Sequence, residues 1–166
     1  MICQQDGSPD WSALEPDASG RMMLLPTGQV LYASDNTGIA IGTPAPRVRR
    51  HAEEALEPEI TDAPDHLTPG SHHKVSGRRF NGASQAVSYG DDCTSATNYP
   101  IARLRYPHDR VVYCRTFDHS TMGVATQHHI VHTTIEVPAS APSGPAHLQI
   151  VANGIASDPV EVHVAL

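Results

Sequence analysis

Histidine is the residue type in this chain that offers the most chemistry. The 166 residues include 11 histidines, and imidazole is the commonest side-chain ligand of transition metals. The densest group is His128, His129 and His132. In an extended strand, His128 and His132 would lie about 13 Å apart, too far to share one ion. The adjacent pair His72 and His73 would point to opposite faces of its strand. We therefore expect these histidines to be exposed strand residues rather than metal ligands.

A lone histidine, His119, lies in a predicted loop after the strand that contains Cys114. A loop side chain can reach outward, and small polar residues follow this one. From the local chemistry we expect its imidazole to hydrogen bond with Asp118 or with a backbone carbonyl and so to shape the loop. A metal-ligand role for His119 would require partners from elsewhere.

A second polar stretch spans residues 79–92 and reads RFNGASQAVSYGDD. Within it lie four side chains with amide, phenol or carboxylate groups that could bind an ion or the hydroxyls of a carbohydrate: Asn81, Tyr89, Asp91 and Asp92. The Asn-Gly and Gly-Asp pairs equally favour tight turns through their backbone geometry. Both interpretations, a substrate-binding loop and a set of turns, stay open from the sequence.

The sequence carries no complete catalytic signature. It lacks a Gly-x-Ser-x-Gly motif, a phosphate-binding glycine loop and a His-Glu-x-x-His motif. Its three cysteines, Cys3, Cys93 and Cys114, allow at most one internal disulfide. We predict no catalytic residue in this chain, and its cysteines leave the redox compartment undetermined.

Charge and hydropathy argue against two classes of partner. The formal net charge is −7, from 11 Lys and Arg against 18 Asp and Glu, whereas binding to a nucleic-acid backbone relies on clustered cations. No apolar stretch approaches the roughly 20 residues that span a bilayer. Residues 1–10 also lack the apolar region of a secretory signal. We predict no nucleic-acid partner and no membrane span, and nothing in the chain itself indicates its localisation.

The elements that must position these residues are predicted to be strands. The chain has 14 Pro and 12 Gly, which favours a turn-rich, all-β protein over a helical one. In residues 21–32, two apolar runs flank Pro26-Thr27-Gly28, a pattern typical of a β-hairpin. A third strand is expected at Gly38–Gly42. A charged, proline-bounded connector follows, with one helical turn predicted at Ala52–Leu56.

From Pro58 onwards, short strand signals recur about every eight to twelve residues between turn clusters, as a β-sandwich requires. The clearest strand is Val160–Val164, in which valines alternate with Glu161 and His163. Turns are predicted at Pro138–Pro145 and at Asn153-Gly154. The predicted strands are Glu59–Thr61, His72–Gly77, Ala86–Tyr89, Ile101–Tyr106, Val111–Thr116, His129–Val137, Ala146–Val151 and Val160–Val164.

Several segments match one known family in order and spacing. They are Ser76–Gly82, Gln85–Asp92, Ala96–Pro100, Asp118–Ala125, Val137-Pro138 and Gly144-Pro145 leading to Val151–Ile155. Through them the chain resembles the C-terminal early-set, immunoglobulin-like domain of galactose oxidase-like proteins, which follows a kelch-type β-propeller. Met22–Leu31 is similar to the hairpin of a closing propeller blade. The resemblance implies a propeller-blade remnant at 1–45, a linker at 46–57 and an immunoglobulin-like early-set β-sandwich at 58–166.

The resemblance also implies a role for His119. In the copper-radical oxidases of this family, a loop of the immunoglobulin-like domain supplies one histidine to the copper, and His119 matches that ligand by position. The oxidases continue with a longer polar motif ending in Gln-Arg, whereas this chain reads Ser120–Val124. The other ligands of such a site lie on propeller blades outside this chain. The resemblance therefore implies no cofactor for this chain alone, and copper only in a full-length parent.

Three functions follow as alternatives. The first is a non-catalytic structural or accessory module of a galactose oxidase-like protein, with the β-propeller domain of the parent as its partner. The second is the C-terminal portion of a copper-radical oxidase that acts on an alcohol or aldehyde, with His119 as a copper ligand. The third is a carbohydrate-binding module that uses the polar stretch at residues 79–92. By the resemblance, a full-length parent would be extracellular.

Overall fold

The computed structural model describes residues 20–34, 38–43, 56–83 and 99–165. Twelve β-strands lie within these ranges. In chain order they are β1 (Gly20–Leu24), β2 (Val30–Ser34), β3 (Gly38–Gly42), β4 (Glu59–Asp62), β5 (His66–Leu67), β6 (His72–Arg78), β7 (Ile101–Arg105), β8 (Val111–Phe117), β9 (Val131–Glu136), β10 (Gly144–Ala152), β11 (Ile155–Ala156) and β12 (Val160–Val164). No helix in the described part of the chain is long and apolar enough to cross a membrane.

The first three strands form a separate antiparallel sheet in the order β1-β2-β3. The β1–β2 turn is closed by a 2.9 Å hydrogen bond from the Gly28 amide to the Leu25 carbonyl. Gly28 has a φ of 77°, a conformation that glycine adopts without steric cost. The predicted hairpin and the predicted third strand at Gly38–Gly42 are both confirmed.

The other nine strands follow one hydrogen-bonded path, β4-β6-β9-β8-β7-β10-β12-β5, with β11 paired to β10. The path forms two layers because β8 is shared between them. Residues 111–114 of β8 pair with β7, and residues 115–117 pair with β9. The chain also changes layer between β4, which pairs with β6, and β5, which runs parallel to β12. This is the strand arrangement of an immunoglobulin-like β-sandwich, as predicted.

Among the described residues, one hydrophobic core cluster fills the space between the two layers. Strands of both layers contribute fully buried side chains, among them Val75 of β6, Ile135 of β9, Leu104 of β7 and Leu148 of β10. Buried and more exposed residues alternate in five strands, namely β6, β7, β8, β9 and β12, as expected for strands with one face toward a core. In β10, by contrast, all residues from Leu148 to Ala152 are buried. On β12, Val162 and Val164 are buried whereas Glu161 and His163 are exposed, which confirms the predicted faces of that strand.

The predicted strand at His129–Val137 begins too early. β9 starts at Val131, and His128 lies in a turn in which the amide of His129 bonds to the carbonyl of Thr126 at 3.0 Å. The Arg78 guanidinium holds this turn by donating to the His128 carbonyl at 3.1 Å. His128 and His132 are therefore not members of one strand, and the 13 Å spacing does not apply to them.

Two short strands were not predicted, and β10 begins earlier than predicted. The short strands β5 and β11 have two residues each, too few to create a periodic pattern. Pro145 was expected to lie in a turn but belongs to β10, where it is opposite His163 of β12. The pairing of β10 with β7 begins only at His147, so at Pro145 the strand has a partner on one side only. A proline is tolerated there because it has no N–H to donate to a second partner. The predicted strand at Ala86–Tyr89 lies outside the described residues, as do all but Leu56 of the predicted helical turn and most of the linker at 46–57.

The three-stranded sheet contacts the sandwich through two tight turns. Gly154, in the predicted Asn153-Gly154 turn between β10 and β11, lies against the β1–β2 turn. A Cβ atom on Gly154 would lie 3.0 Å from Leu24 Cγ, 3.0 Å from Gly28 Cα and 3.1 Å from the Leu25 carbonyl oxygen. The absence of a side chain at Gly154 therefore permits this close approach between the sheet and the sandwich.

Candidate functional site

The loop that carries His119 is held against the start of β9. At Asp118, which follows β8, φ is 50°, and this left-handed conformation turns the chain out of the strand. The Ser120 amide then donates to the His132 carbonyl at 3.0 Å. In return the His132 amide donates to the Ser120 hydroxyl at 2.9 Å. His119 is thus fixed between a turn and a pair of hydrogen bonds.

The side chain of His119 contacts β9 and the segment before β7. Its Nδ1 lies 3.0 Å from the hydroxyl of Thr133, a residue with no exposed surface. Its ring meets the ring of Tyr99 edge to face, with 4.6 Å between ring centroids. The expectation of a loop-shaping hydrogen bond is correct, but the partner was wrong: the bond goes to a side chain on a distant strand rather than to Asp118 or a backbone carbonyl.

The hydrogen bonds of Thr133 bear on the protonation of His119. The Thr133 hydroxyl has one proton, and it donates to the Phe117 carbonyl at 3.3 Å. Both bonds of this hydroxyl are satisfied together only if His119 Nδ1 carries the imidazole proton and donates to it. In that tautomer the other ring nitrogen, Nε2, has a free lone pair. Nε2 is buried and has no hydrogen-bond partner.

The environment of His119 favours its neutral form. Burial lowers the pKa of His119 below its ordinary value of 6.5, and the nearby Asp118 carboxylate opposes this by raising it. A lowered pKa keeps the imidazole uncharged at neutral pH, and the uncharged ring is the form that binds metals. In the neutral ring with its proton on Nδ1, Nε2 is the nitrogen that carries a lone pair.

The ligand set around His119 is incomplete in the described residues. Within residues 20–34, 38–43, 56–83 and 99–165, no group of three or more His, Cys, Asp and Glu side chains lies close enough together to hold a metal ion. Cys114 is a free cysteine, buried on β8, and burial raises the pKa of its thiol to about 12. A neutral thiol is a poor metal ligand and a poor nucleophile. The described residues therefore contain no complete metal site around His119.

The predicted polar stretch is described only in part. Asn81 lies in a turn closed by a 3.0 Å hydrogen bond from the Gly82 amide to the Arg79 carbonyl, and it is 2% exposed. The carbonyl of Gly82 accepts a 2.8 Å hydrogen bond from the Ala125 amide, which ties this turn to the His119 loop. A carbohydrate contact through Asn81 would require the turn to open. Three of the proposed contact residues lie outside the described residues, namely Tyr89, Asp91 and Asp92.

A groove on the outer face of the sandwich was not predicted. It has a volume of about 950 Å³, at the upper end of the range for small-molecule sites. Strands β5, β10 and β12 and the loop after β7 form it. Its polar lining residues include Asp65, His66, Arg105, His147, Glu161 and His163. The alternation in β12 predicts that Glu161 and His163 face outward. The other polar residues of the groove could not be predicted, because they come from segments distant in sequence.

The pairing register explains how these side chains meet in the groove. His147 is opposite Arg105 on one side and opposite Glu161 on the other. His163 is opposite His66, and residues that are directly opposite have neighbouring side chains on one face of the sheet. One row of polar side chains on the outer face therefore consists of Arg105, His147 and Glu161. A second row beside it contains His163 and His66.

No protein-family model matches the chain, and no curated protein matches it significantly. Among solved structures, the chain is similar to the crystal structure of the Lin-41 filamin domain. The match has 13% sequence identity and a TM-score of 0.35, and it covers 69% of this chain and 97% of that chain. The class of the protein is instead defined by its own strand order: it is an all-β protein with an immunoglobulin-like β-sandwich and a separate three-stranded antiparallel sheet.

Proposed function

We propose that this chain is a non-catalytic structural or accessory module that docks onto the β-propeller domain of a galactose oxidase-like parent. The observation that carries the proposal is the exposure of large apolar side chains on the three-stranded sheet. Ile39 is 76% exposed, Met23 45% and Ile41 44%. Clustered exposure of this kind marks a surface that another protein element covers.

The register of the sheet places these side chains together. Leu31 of β2 is opposite Met23 of β1 and opposite Ile41 of β3, so the three share one face. The alternate residues of the same strands include Leu24 and Val30, which are also opposite each other. Apolar residues on both faces are typical of a sheet packed between two others, as each blade of a propeller is. The resemblance of Met22–Leu31 to a blade hairpin supports the same partner.

The test of this proposal is the mass of the native product. An antibody against residues 58–166, used on an extract of the source and followed by mass spectrometry, should detect a species several-fold heavier than the 17.8 kDa of this chain. A native species of 17.8 kDa that stays monomeric in solution would contradict the docking of the sheet onto a propeller within the same chain.

The exposed face can also be tested in the isolated chain. Replacing Ile39 with Ser should lower self-association in sedimentation velocity, because an uncovered apolar face promotes association. The matched control is Val111→Ser, since Val111 is a 39% exposed aliphatic residue on the sandwich. An equal effect of the two substitutions would show that the sheet is no different from the rest of the surface.

A second candidate function rests on His119. Its buried Nε2 has no hydrogen-bond partner, which favours the terminal portion of a copper-radical oxidase in which His119 completes a copper site built by the parent. When bound, copper would supply the redox chemistry, and this chain would contribute one neutral imidazole oriented by Thr133. In a full-length parent, His119→Ala should abolish copper binding and His128→Ala should retain it. Equal copper content in both variants would exclude this function.

A further inference from the structure

We propose that His66 and His163 form a two-histidine site for a divalent first-row transition ion on the outer face of the sandwich. Both residues line the 950 Å³ groove. They lie directly opposite each other on the parallel strands β5 and β12. Their ring centroids are 6.0 Å apart, at an interplanar angle of 63°.

The separation of the two rings matches the reach of one metal ion. A bond of about 2.0–2.1 Å between metal and imidazole nitrogen, plus about 1.1 Å from that nitrogen to the ring centroid, places a ring about 3.2 Å from the ion. Two such rings are about 5.2 Å apart at a tetrahedral angle and about 6.4 Å apart when they lie on opposite sides of the ion. The observed 6.0 Å lies within that range. Rotation of the side chains can therefore direct one nitrogen of each ring to the same point.

The backbone holds both histidines in place. The His163 amide donates to the Asp65 carbonyl at 2.7 Å, and the Ala165 amide donates to the Leu67 carbonyl at 2.9 Å. Leu67 and Val164, the neighbours of the two histidines in sequence, have no exposed surface. Their burial anchors β5 against β12, so metal binding would need to order only two side chains. Such preorganisation reduces the entropic cost of binding.

The ligand type decides which ions fit. Imidazole suits Zn²⁺, Ni²⁺ and Cu²⁺, whereas Mg²⁺ and Ca²⁺ prefer oxygen ligands. The affinity should follow the general order for divalent ions, with Cu²⁺ the tightest. Asp65 and Glu161 also line the groove, but no three potential ligands among the described residues meet at one point. Water would therefore fill the remaining coordination positions.

The test is titration of the intact, tag-free chain with Cu²⁺, Ni²⁺ and Zn²⁺ by isothermal titration calorimetry. We expect His66→Gln and His163→Gln each to weaken binding at this site at least tenfold. Each single variant keeps only one imidazole and can no longer chelate the ion. The double variant should therefore bind about as weakly as the more strongly affected single variant. Mg²⁺ should give no signal in any variant.

Three matched substitutions separate this site from the other histidines. His147→Gln changes a histidine in the same groove, His128→Gln changes an exposed turn, and His119→Gln removes the ligand of the second candidate function. Each should leave the affinity within about twofold of the original chain. Addition of Cu²⁺ should also broaden the imidazole NMR signals of His66 and His163 first.

Two outcomes would overturn the proposal. One is binding that survives in both His66→Gln and His163→Gln with unchanged affinity. The other is binding that disappears only in His119→Gln, which would assign the metal to the loop after β8 and support the second candidate function instead. Loss of the two-histidine site would leave the docking proposal untouched, since that proposal rests on the three-stranded sheet.

Discussion

The imidazole of His119 and the hydroxyl of Thr133 are joined by a 3.0 Å hydrogen bond between the loop after β8 and the interior of β9. This bond joins residues 14 positions apart in sequence and holds the imidazole against β9. Both candidate roles of the loop, a structural one and a ligand one, depend on it. Its removal is therefore the most direct probe of the site.

Thr133→Val should destabilise the protein by about 1–2 kcal/mol. Valine keeps the shape of threonine but removes the hydroxyl, so that His119 Nδ1 and the Phe117 carbonyl each lose a buried hydrogen-bond partner. Urea unfolding monitored by circular dichroism would measure the change. The control is Thr134→Val, because the neighbouring side chain is only half-buried, and it should change stability by less than about 0.5 kcal/mol. Equal effects would mean that the hydroxyl of Thr133 contributes nothing through its bonds.

The stability of the protein should depend on pH through His119. Burial lowers the pKa of His119 in the folded state below its ordinary value of 6.5, so the unfolded chain binds more protons under acidic conditions. The contribution of His119 to stability is then complete above about pH 6.5 and is lost as the pH falls below it. The free energy of unfolding of His119→Gln should decrease less between pH 7.5 and pH 5 than that of the original chain.

The matched control for the pH experiment is His128→Gln, which changes an exposed histidine. Its decrease in stability over the same pH interval should equal that of the original chain. If His119→Gln behaves like His128→Gln, then acid acts on the fold through other residues.

Gly77→Ala should unfold the sandwich or destabilise it by at least about 3 kcal/mol. A Cβ atom at Gly77 would clash with the carbonyl oxygen of Glu59 and would lie 2.6 Å from Cε1 of the buried Phe80 ring. The clash involves the backbone of the paired strand, which cannot give way without loss of the β4–β6 ladder. Differential scanning calorimetry would measure the loss. Gly123→Ala is the control, since its nearest new contact is a side-chain oxygen of Thr121 at 3.2 Å.

Gly154→Ala should detach the three-stranded sheet from the sandwich. The new methyl group would press on Leu24, Leu25 and Gly28 in the β1–β2 turn. Limited proteolysis should then cleave residues 20–43 faster than in the original chain while the sandwich stays intact. Gly70→Ala is the matched control, because its φ of 78° is close to the 74° of Gly154 but its nearest contact is an ordinary 3.8 Å. Equally fast cleavage in both variants would indicate that backbone strain, and not the contact, is responsible.

The sequence was sufficient for elements whose signal is local. The valine alternation at Val160–Val164 predicted both the bounds and the buried face of β12. Local residues were also enough to predict the turn at Pro26-Thr27-Gly28 and the strand at Gly38–Gly42. Proline and glycine favour the turn, and apolar residues favour the strand. Periodicity failed at His128, where the turn is stabilised by Arg78, a residue 50 positions away.

The candidate sites could not be predicted because their partners are distant in sequence. Nothing near His119 indicates Thr133, and the local carboxylate of Asp118 was the obvious but wrong partner. The pairing of His66 with His163 depends on a two-residue strand that runs parallel to the last strand of the chain. Such a short strand leaves no periodic signal, so only the folded arrangement brings the two imidazoles together.

The sharing of β8 between the two layers has a consequence for how the protein comes apart. The same strand pairs with β7 through Cys114 and with β9 through Thr116. A force that pulls the two layers apart therefore acts on the covalent backbone of β8 between these two residues as well as on the side-chain contacts of the core. When one layer unfolds, it therefore stays joined to the other through the continuous backbone of β8.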